Sequence, residues 1–133
     1  KAHGRLSPFL IPKSRGGAIK MARVLKDGGH LAIMIDQKLN EGLAIPFFGR
    51  PAKTTTALAA FALRHRCPII PARVERIAGA TFRVVFYPPI QIPNSGDTVR
   101  DTELIMLNAN QIIENWIRDT PSQWLWLHRR WGK

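Results

Sequence analysis

Asp36 is the carboxylate whose position in the sequence best suits chemistry. It directly follows residues 31–35, a run that is apolar on both faces and typical of a buried parallel strand. Open α/β sheets bind ligands at the carboxyl ends of their strands, and Gln37 and Lys38 add further polar groups at this point. The position is compatible with a ligand-binding role for Asp36, but on the fold alone a solvated loop aspartate is the favoured interpretation.

Histidine could supply a base for acyl transfer, but a carboxylate must then orient its imidazole. One arrangement places that acidic residue five positions after the histidine. The residues five positions after His3, His30, His65 and His128 are, in order, Pro8, Ile35, Ile70 and Lys133. None of these is acidic, so the sequence encodes no histidine dyad of this form.

The remaining reactive residue types give no metal site and no nucleophile. Cys67 is the only cysteine, which excludes an internal disulfide and favours a reducing compartment. Its place at the end of a predicted helix, directly before Pro68, is typical of a buried structural thiol. No His/Cys cluster has zinc spacing, no serine has the glycines of a nucleophile elbow, and neither glycine pair forms a phosphate loop. We therefore expect no metal site.

The chain is strongly basic. Its 133 residues include 20 Lys and Arg against 9 Asp and Glu, a formal charge of +11. A nucleic acid, an anionic membrane or phosphorylated lipid, and an acidic carrier protein are the candidate partners, and a solvated basic face is the fourth interpretation. No stacking platform of recognised spacing supports RNA binding. The tryptophans instead group towards the end of the sequence, as core or membrane-interface aromatics do.

Hydrophobic periodicity predicts the elements that must position these residues. Helices are predicted over residues 16–27, 54–66 and 101–119, with Ser14 capping the first and Asp101 or Thr102 the last. Strands are predicted over residues 31–35, 68–76 and 81–87, and loops over residues 36–42 and 46–51. Together they predict one α/β domain or part of one, with a mixed, mostly parallel sheet: a βαβ unit over residues 31–74 and an antiparallel edge over residues 69–87. No apolar stretch approaches the ~20 residues of a membrane-spanning helix.

Four blocks of sequence carry a resemblance to a known family. They are Ile-Asp-Gln at residues 35–37, Ile-Pro-Phe-Phe-Gly-Arg-Pro-Ala at 45–52, Cys-Pro-Ile-Ile-Pro-Ala-Arg-Val at 67–74, and Pro-Ser-Gln-Trp-Leu-Trp-Leu-His-Arg-Arg-Trp at 121–131. In this order, and over nearly the whole chain, they resemble the late (lauroyl/myristoyl) acyltransferases of lipid A biosynthesis. Each block alone is weak, whereas the four in order are specific.

The resemblance implies a glycerolipid-acyltransferase-like fold and an enzyme at the cytoplasmic face of the inner membrane of a Gram-negative bacterium. Such an enzyme moves a fatty acyl group from acyl carrier protein to a hydroxyl of an anionic, phosphorylated glycolipid, the lipid A precursor, without a cofactor. No nucleic acid is then expected. An acyltransferase for another membrane lipid and a basic nucleic-acid-binding module are the alternatives.

In that family the His-x-x-x-x-Asp/Glu dyad lies upstream of the region matched here. We therefore expect residues 1–133 to be the C-terminal part of a single acyltransferase domain, incomplete at its N-terminus and inactive alone. The absence of an initiator Met before Lys1 agrees with this expectation.

The resemblance also implies roles for individual residues. Asp36 and Arg5 would support the reaction, Arg5 by meeting a phosphate or the developing oxyanion. Phe47, Phe48 and Gly49 would form the wall of the acyl site, with ordinary core packing as the alternative for the two rings. Arg73, Arg129 and Arg130 would face the anionic head group, with a structural clamp against an acidic side chain as the alternative for the last two. The other expected substrate-binding residues are Gln37, Lys38, Arg50 and Thr54.

Overall fold

The computed structural model describes residues 10–11 and 14–132, which separate into two compact units, one up to Ile33 and one from Met34 onwards. The first unit contains helix α1 (Arg15–Lys26). The Ser14 side chain caps this helix by accepting a hydrogen bond of 3.0 Å from the Gly17 N–H, as the sequence predicts.

The second unit contains two antiparallel hairpins and two α-helices. In chain order its elements are β1 (Leu43–Phe47), β2 (Arg50–Thr54), α2 (Ala57–His65), β3 (Ala72–Ala78), β4 (Thr81–Phe86), α3 (Thr98–Asp119) and a 3-10 turn (Pro121–Gln123). Among the described residues, β1 pairs with β2 alone and β3 with β4 alone. The mixed α/β class is confirmed, whereas the mostly parallel sheet and the glycerolipid-acyltransferase-like fold are not.

Residues 31–35 differ from the sequence prediction, because in the structure they form no strand. An apolar run is compatible with a strand, but a strand exists only through a ladder with a neighbour. Among the described residues nothing pairs with this run, and Met34 is exposed while Ile35 is buried. The predicted βαβ unit therefore lacks its first strand in this part of the chain.

The prediction of a loop over residues 46–51 is wrong, because this segment forms part of the β1–β2 hairpin. Phe47 pairs with Arg50 across a two-residue turn in which Phe48 and Gly49 both have positive φ, 51° and 71°. That backbone is the one favoured in tight hairpins. Pro46 and Pro51 lie opposite each other, where neither ring has an N–H to donate. Proline-rich composition is thus compatible with this two-stranded sheet, whose strands are both edges.

The long helix α3 supplies the wall against which the first hairpin packs. Its buried residues include Ile105, Met106, Ala109 and Ile117, and they face the buried Ile45, Phe47 and Ala52 of the hairpin and the small Ala59 and Ala62 of α2. The Asn110 side chain donates to the Pro46 carbonyl at 2.9 Å, which fixes β1 along the helix. This layer of helix on hairpin is the core of the second unit.

The start of α3 corrects the predicted cap. Asp97, not Asp101 or Thr102, is the capping residue, and its carboxylate accepts from the N–H groups of Val99 and Arg100. Asp101 is buried one turn further on and accepts from the Ser95 hydroxyl at 2.6 Å. The helix starts earlier than predicted because its first turn is mostly polar and so shows no hydrophobic periodicity.

Candidate functional site

Three side chains from residues 128–131, here called the terminal clamp (His128, Arg130 and Trp131), hold the β1–β2 hairpin and the loop before it. The Lys38 N–H donates to Nε2 of His128 at 2.8 Å. Arg130 donates to the Lys53 carbonyl, and the indole N–H of Trp131 donates to the Phe47 carbonyl at 3.1 Å. The end of the described chain therefore closes over the segments in which the sequence places most candidate site residues.

Arg130 is the most deeply buried charged group of the clamp. Its guanidinium donates to the Lys53 carbonyl at 2.8 Å and to the Thr54 hydroxyl at 2.6 Å, and it lies 5.0 Å from the centre of the Phe47 ring. Burial lowers the pKa of Arg130 below its ordinary value, and the negative charge of Asp36 opposes that effect. Asp36 is thus the carboxylate that electrostatically balances a buried guanidinium.

Asp36 is half-buried, and its negative charge acts on the Arg130 guanidinium, which in turn contacts Thr54. The Thr54 hydroxyl in turn donates to the Ala52 carbonyl at 2.9 Å. The guanidinium and the hydroxyl together hold the backbone of β2 at Ala52 and Lys53. Arg130 thus holds β2 through a backbone carbonyl and a hydroxyl as its acceptors.

An aromatic cluster (Phe47, Phe48, Trp124 and Trp131) lies beside the clamp. The centre of the Phe47 ring is 5.5 Å from that of Trp131 and 5.8 Å from that of Trp124. Phe47 is fully buried, whereas Phe48 in the turn is half-buried. The contacts and burial of Phe47 are those of core packing.

Two exposed guanidinium groups lie over the rings of this cluster. Arg50 lies 5.5 Å from the centre of the Trp131 ring, and Arg118 lies 4.8 Å from that of Phe48. Arg118 also pairs with Glu114 at 3.1 Å, and Glu114 in turn accepts from the Phe48 N–H at 2.8 Å. Arg118 and Glu114 were not predicted as site residues, because only the packing of α3 against the turn brings them there.

Arg73 lies at the C-terminal end of α3 and is bound by several acceptors. It pairs with Glu75 at 3.1 Å and Asp119 at 3.2 Å, and donates to the Thr120 hydroxyl at 2.7 Å and the Trp116 carbonyl at 3.3 Å. A cation at the C-terminus of a helix is favoured by the unpaired carbonyls there. Arg73 thus joins β3 to the C-terminal end of α3.

The other predicted site residues divide by exposure. Gln37, Gly49, Arg50 and Arg129 are exposed, Lys38 is half-buried and Thr54 is fully buried. Arg5 lies outside the described residues. Exposed side chains can meet a ligand directly, whereas Thr54 can act only through its contact with Arg130.

Two shallow cavities lie away from this group. One, of about 400 Å³, is lined by residues of β1 and the first turns of α3, including Arg100, Glu103 and Leu104. The other, of about 510 Å³, shares Leu104 with it. Neither is lined by a predicted site residue. Within the described residues, no group of three His, Cys, Asp or Glu side chains could hold a metal ion.

Comparison with known proteins identifies the family. A family model described as bacterial lipid A biosynthesis acyltransferase matches residues 5–133. The chain belongs to this family. A comparison with individual curated proteins gives no match.

Membership of the lipid A acyltransferase family agrees with the resemblance carried by the four sequence blocks. Two of these blocks contact each other in the structure. Residues 45–52 form most of the first hairpin, and the block at 121–131 contains the terminal clamp that holds this hairpin. His128 was examined in the sequence only as a base. Its Nε2 lone pair accepts from the Lys38 N–H, so in this arrangement it is not free to take a proton from a substrate.

In the part of the chain that the structure describes, no helix is long and apolar enough to cross a membrane.

Proposed function

We propose that this chain is part of an enzyme that transfers a fatty acyl group from acyl carrier protein to a hydroxyl of a phosphorylated lipid A precursor. The observation that carries the proposal is the family match over residues 5–133, since acyl transfer in lipid A biosynthesis is the activity of that family. The site of action is the cytoplasmic face of the inner membrane of a Gram-negative bacterium.

The reaction is a nucleophilic substitution at a thioester. A base takes the proton of the acceptor hydroxyl, the hydroxyl oxygen forms a bond to the acyl carbonyl carbon, and the carbon–sulfur bond breaks. The carrier thiolate leaves and is protonated, so no oxidant, metal or cofactor takes part. Since no histidine here has an acidic residue five positions later, the base comes from outside these 133 residues and the chain alone does not catalyse transfer.

In this enzyme the described residues hold the backbone of the candidate site in place and supply positive charge to an anionic substrate. Arg130 holds β2 and His128 holds the loop before it, and Gln37 and Lys38 place polar side chains in that loop. Arg50 and Arg129 are exposed near the clamp and can meet the phosphates of the acceptor. A formal charge of +11 favours both an anionic lipid and an acidic carrier protein.

The proposal is tested by assaying acyl transfer with two proteins. One is the 133-residue chain, and the other is a longer reading frame that contains it together with an upstream His-x-x-x-x-Asp/Glu. Each receives acyl carrier protein loaded with a labelled acyl chain and a lipid A precursor, and acyl coenzyme A replaces the carrier in a parallel reaction. We expect label on the lipid only with the longer protein and the carrier-bound donor.

A His→Ala variant of the longer protein, at the dyad, is the control for the base. Full activity in that variant, or transfer by the 133-residue chain at the rate of the longer protein, would contradict the assignment of the base. Label on another membrane lipid but not on the lipid A precursor would assign a different acceptor. Tight, saturable RNA binding without transfer would favour the nucleic-acid alternative.

Arg50→Gln in the longer protein tests the role of charge beside the clamp, with Arg83→Gln on exposed β4 as the matched control. Loss of a phosphate contact is expected to raise KM for the phosphorylated acceptor by about fivefold with little change in kcat, because the contact is made equally in the ground and transition states. An unchanged KM would remove Arg50 from the site.

A further inference from the structure

Three consecutive apolar side chains near the end of the described chain, here called the apolar tip (Leu125, Trp126 and Leu127), face solvent. Their exposed fractions are 65%, 54% and 91%. Side chains of this size usually lie in a core or an interface, and three in a row form a continuous patch. The tip directly precedes the terminal clamp, so the fold presents it at a fixed place beside the candidate site.

Hydrogen bonds hold the backbone around the tip. The indole N–H of Trp126 donates to the Pro121 carbonyl at 2.6 Å, and the His128 N–H donates to the Leu125 carbonyl at 3.1 Å. The Trp126 ring also meets Trp124 edge to face, with 4.6 Å between ring centres. An apolar segment held in this way loses little conformational entropy when it enters an apolar phase.

The charges near the tip determine which partner it suits. Arg129 is exposed two residues after Leu127, and the exposed Arg76 lies beside Gln123, whose side chain accepts from the Arg76 N–H at 2.8 Å. A second copy of this chain would bring another charge of +11 to the same place and be repelled. An anionic lipid bilayer offers both an apolar interior for the tip and phosphates for the arginines.

We propose that the apolar tip inserts into the interfacial region of an anionic lipid bilayer, with Arg129 at the level of the lipid phosphates. Leucine side chains enter the acyl region, and a tryptophan ring, with one polar edge, is suited to the headgroup boundary. The inference rests on the proposed function, which puts the acceptor lipid in a membrane. The inference identifies the surface that contacts the membrane, and it places the terminal clamp close to that membrane.

The first test is co-sedimentation of the 133-residue chain with vesicles of phosphatidylglycerol and phosphatidylethanolamine, and with vesicles of phosphatidylcholine alone. The variant L125S/L127S is compared with V99S and F86S, whose residues are also exposed and apolar, at 69% and 72%, but lie on α3 and β4. We expect L125S/L127S to weaken binding to the anionic vesicles by ~10-fold, because less apolar surface enters the bilayer. V99S and F86S are expected to bind like the parent chain.

The second test measures insertion directly. Leu127→Cys in a Cys67→Ser background carries an environment-sensitive fluorophore, and Val99→Cys in the same background is the control. We expect a blue shift on addition of anionic vesicles for the label at position 127 only. Arg129→Gln should weaken anionic-vesicle binding about fivefold and leave binding to phosphatidylcholine unchanged.

Three results would overturn the proposal. In the vesicle assay they are unchanged binding by L125S/L127S, or loss of binding by F86S instead. In the fluorescence assay it is a blue shift of the label at position 127 that occurs only when the chain self-associates, as measured by sedimentation velocity. The vesicle assay contains no acyl donor, so its outcome is independent of the transfer assay. Insertion of the tip together with no acyl transfer by the longer protein would refute the proposed function alone. Transfer by a longer protein whose tip stays in water would refute this inference alone.

Discussion

At the scale of single residues, the buried Arg130 is the group on which the candidate site depends. Its guanidinium has two acceptors and an aromatic face, and Asp36 is the opposing charge. Its Nε has no hydrogen-bond partner among the described residues. A buried cation with few acceptors makes each remaining acceptor important, because a lost bond there is not replaced by water.

Thr54→Val tests this dependence, since it keeps the side-chain shape and removes the hydroxyl that Arg130 contacts at 2.6 Å. We expect the free energy of unfolding to fall by about 2 kcal/mol, the cost of leaving a buried charged donor unpaired. Urea denaturation followed by tryptophan fluorescence measures it. Thr81→Val at the exposed start of β4 is the control, and equal losses in the two variants would refute the prediction.

Asp36→Asn tests the charge opposite Arg130. Removing that charge leaves the pKa-lowering effect of burial on Arg130 unopposed, so the folded state should lose about 1 kcal/mol. Because the pair is partly buried, we expect the loss to persist at high salt. The same denaturation experiment with Glu41→Gln, an exposed acidic residue, should show no loss; a change of equal size there would mean that only overall charge matters.

At the scale of elements, the β1–β2 hairpin places the candidate residues, and its turn is conformationally demanding. Phe48 has positive φ although it is not glycine. Glu114 accepts from its N–H and Arg118 covers its ring, so α3 stabilises a backbone that a phenylalanine alone rarely adopts. The turn and the helix therefore depend on each other.

Gly49→Ala tests the turn. A Cβ at this position meets no atom within 4 Å, so the effect comes from its φ of +71° and not from a clash. We expect a loss of about 1 kcal/mol in the free energy of unfolding. Gly16→Ala in the first turn of α1, where φ is not positive, should be neutral or slightly stabilising; a similar loss there would show that the strain argument fails.

At the scale of the whole molecule, charge and exposed apolar surface are the dominant features. Besides the apolar tip, the β3–β4 hairpin exposes Val74, Val84 and Phe86 on one face, where Val74 pairs with Val84. The charge of the chain keeps copies apart, and of these two surfaces the apolar tip is the one proposed to contact an anionic bilayer.

Salt tests the effect of charge on the folded state. Screening of the mutual repulsion of a +11 chain should stabilise it by about 1 kcal/mol, or roughly 4 °C in the unfolding midpoint, between ~20 and ~200 mM NaCl. Differential scanning fluorimetry measures the midpoint, and sucrose at matched osmolality controls for non-ionic effects. A midpoint that is flat or falls with salt would show that attractive ion pairs, such as those of Arg73, outweigh the repulsion.

The sequence by itself determined the helices, the second hairpin and the family. Helical periodicity and the Ser14 cap are local properties, and so is the alternation that marks residues 81–86 as a strand. The four ordered blocks indicated the lipid A acyltransferases because their residue types and order are properties of the chain alone.

Only the tertiary structure decided how those blocks meet. Residues 46–51 appeared as a loop because two prolines and a glycine suppress the strand pattern, and pairing across a two-residue turn overrides it. Residues 31–35 carry the pattern of a buried strand, yet pairing requires a neighbour that an apolar run cannot specify. The contact of Arg130 with Thr54 joins residues 76 positions apart, and such a contact follows from packing, which no local pattern encodes.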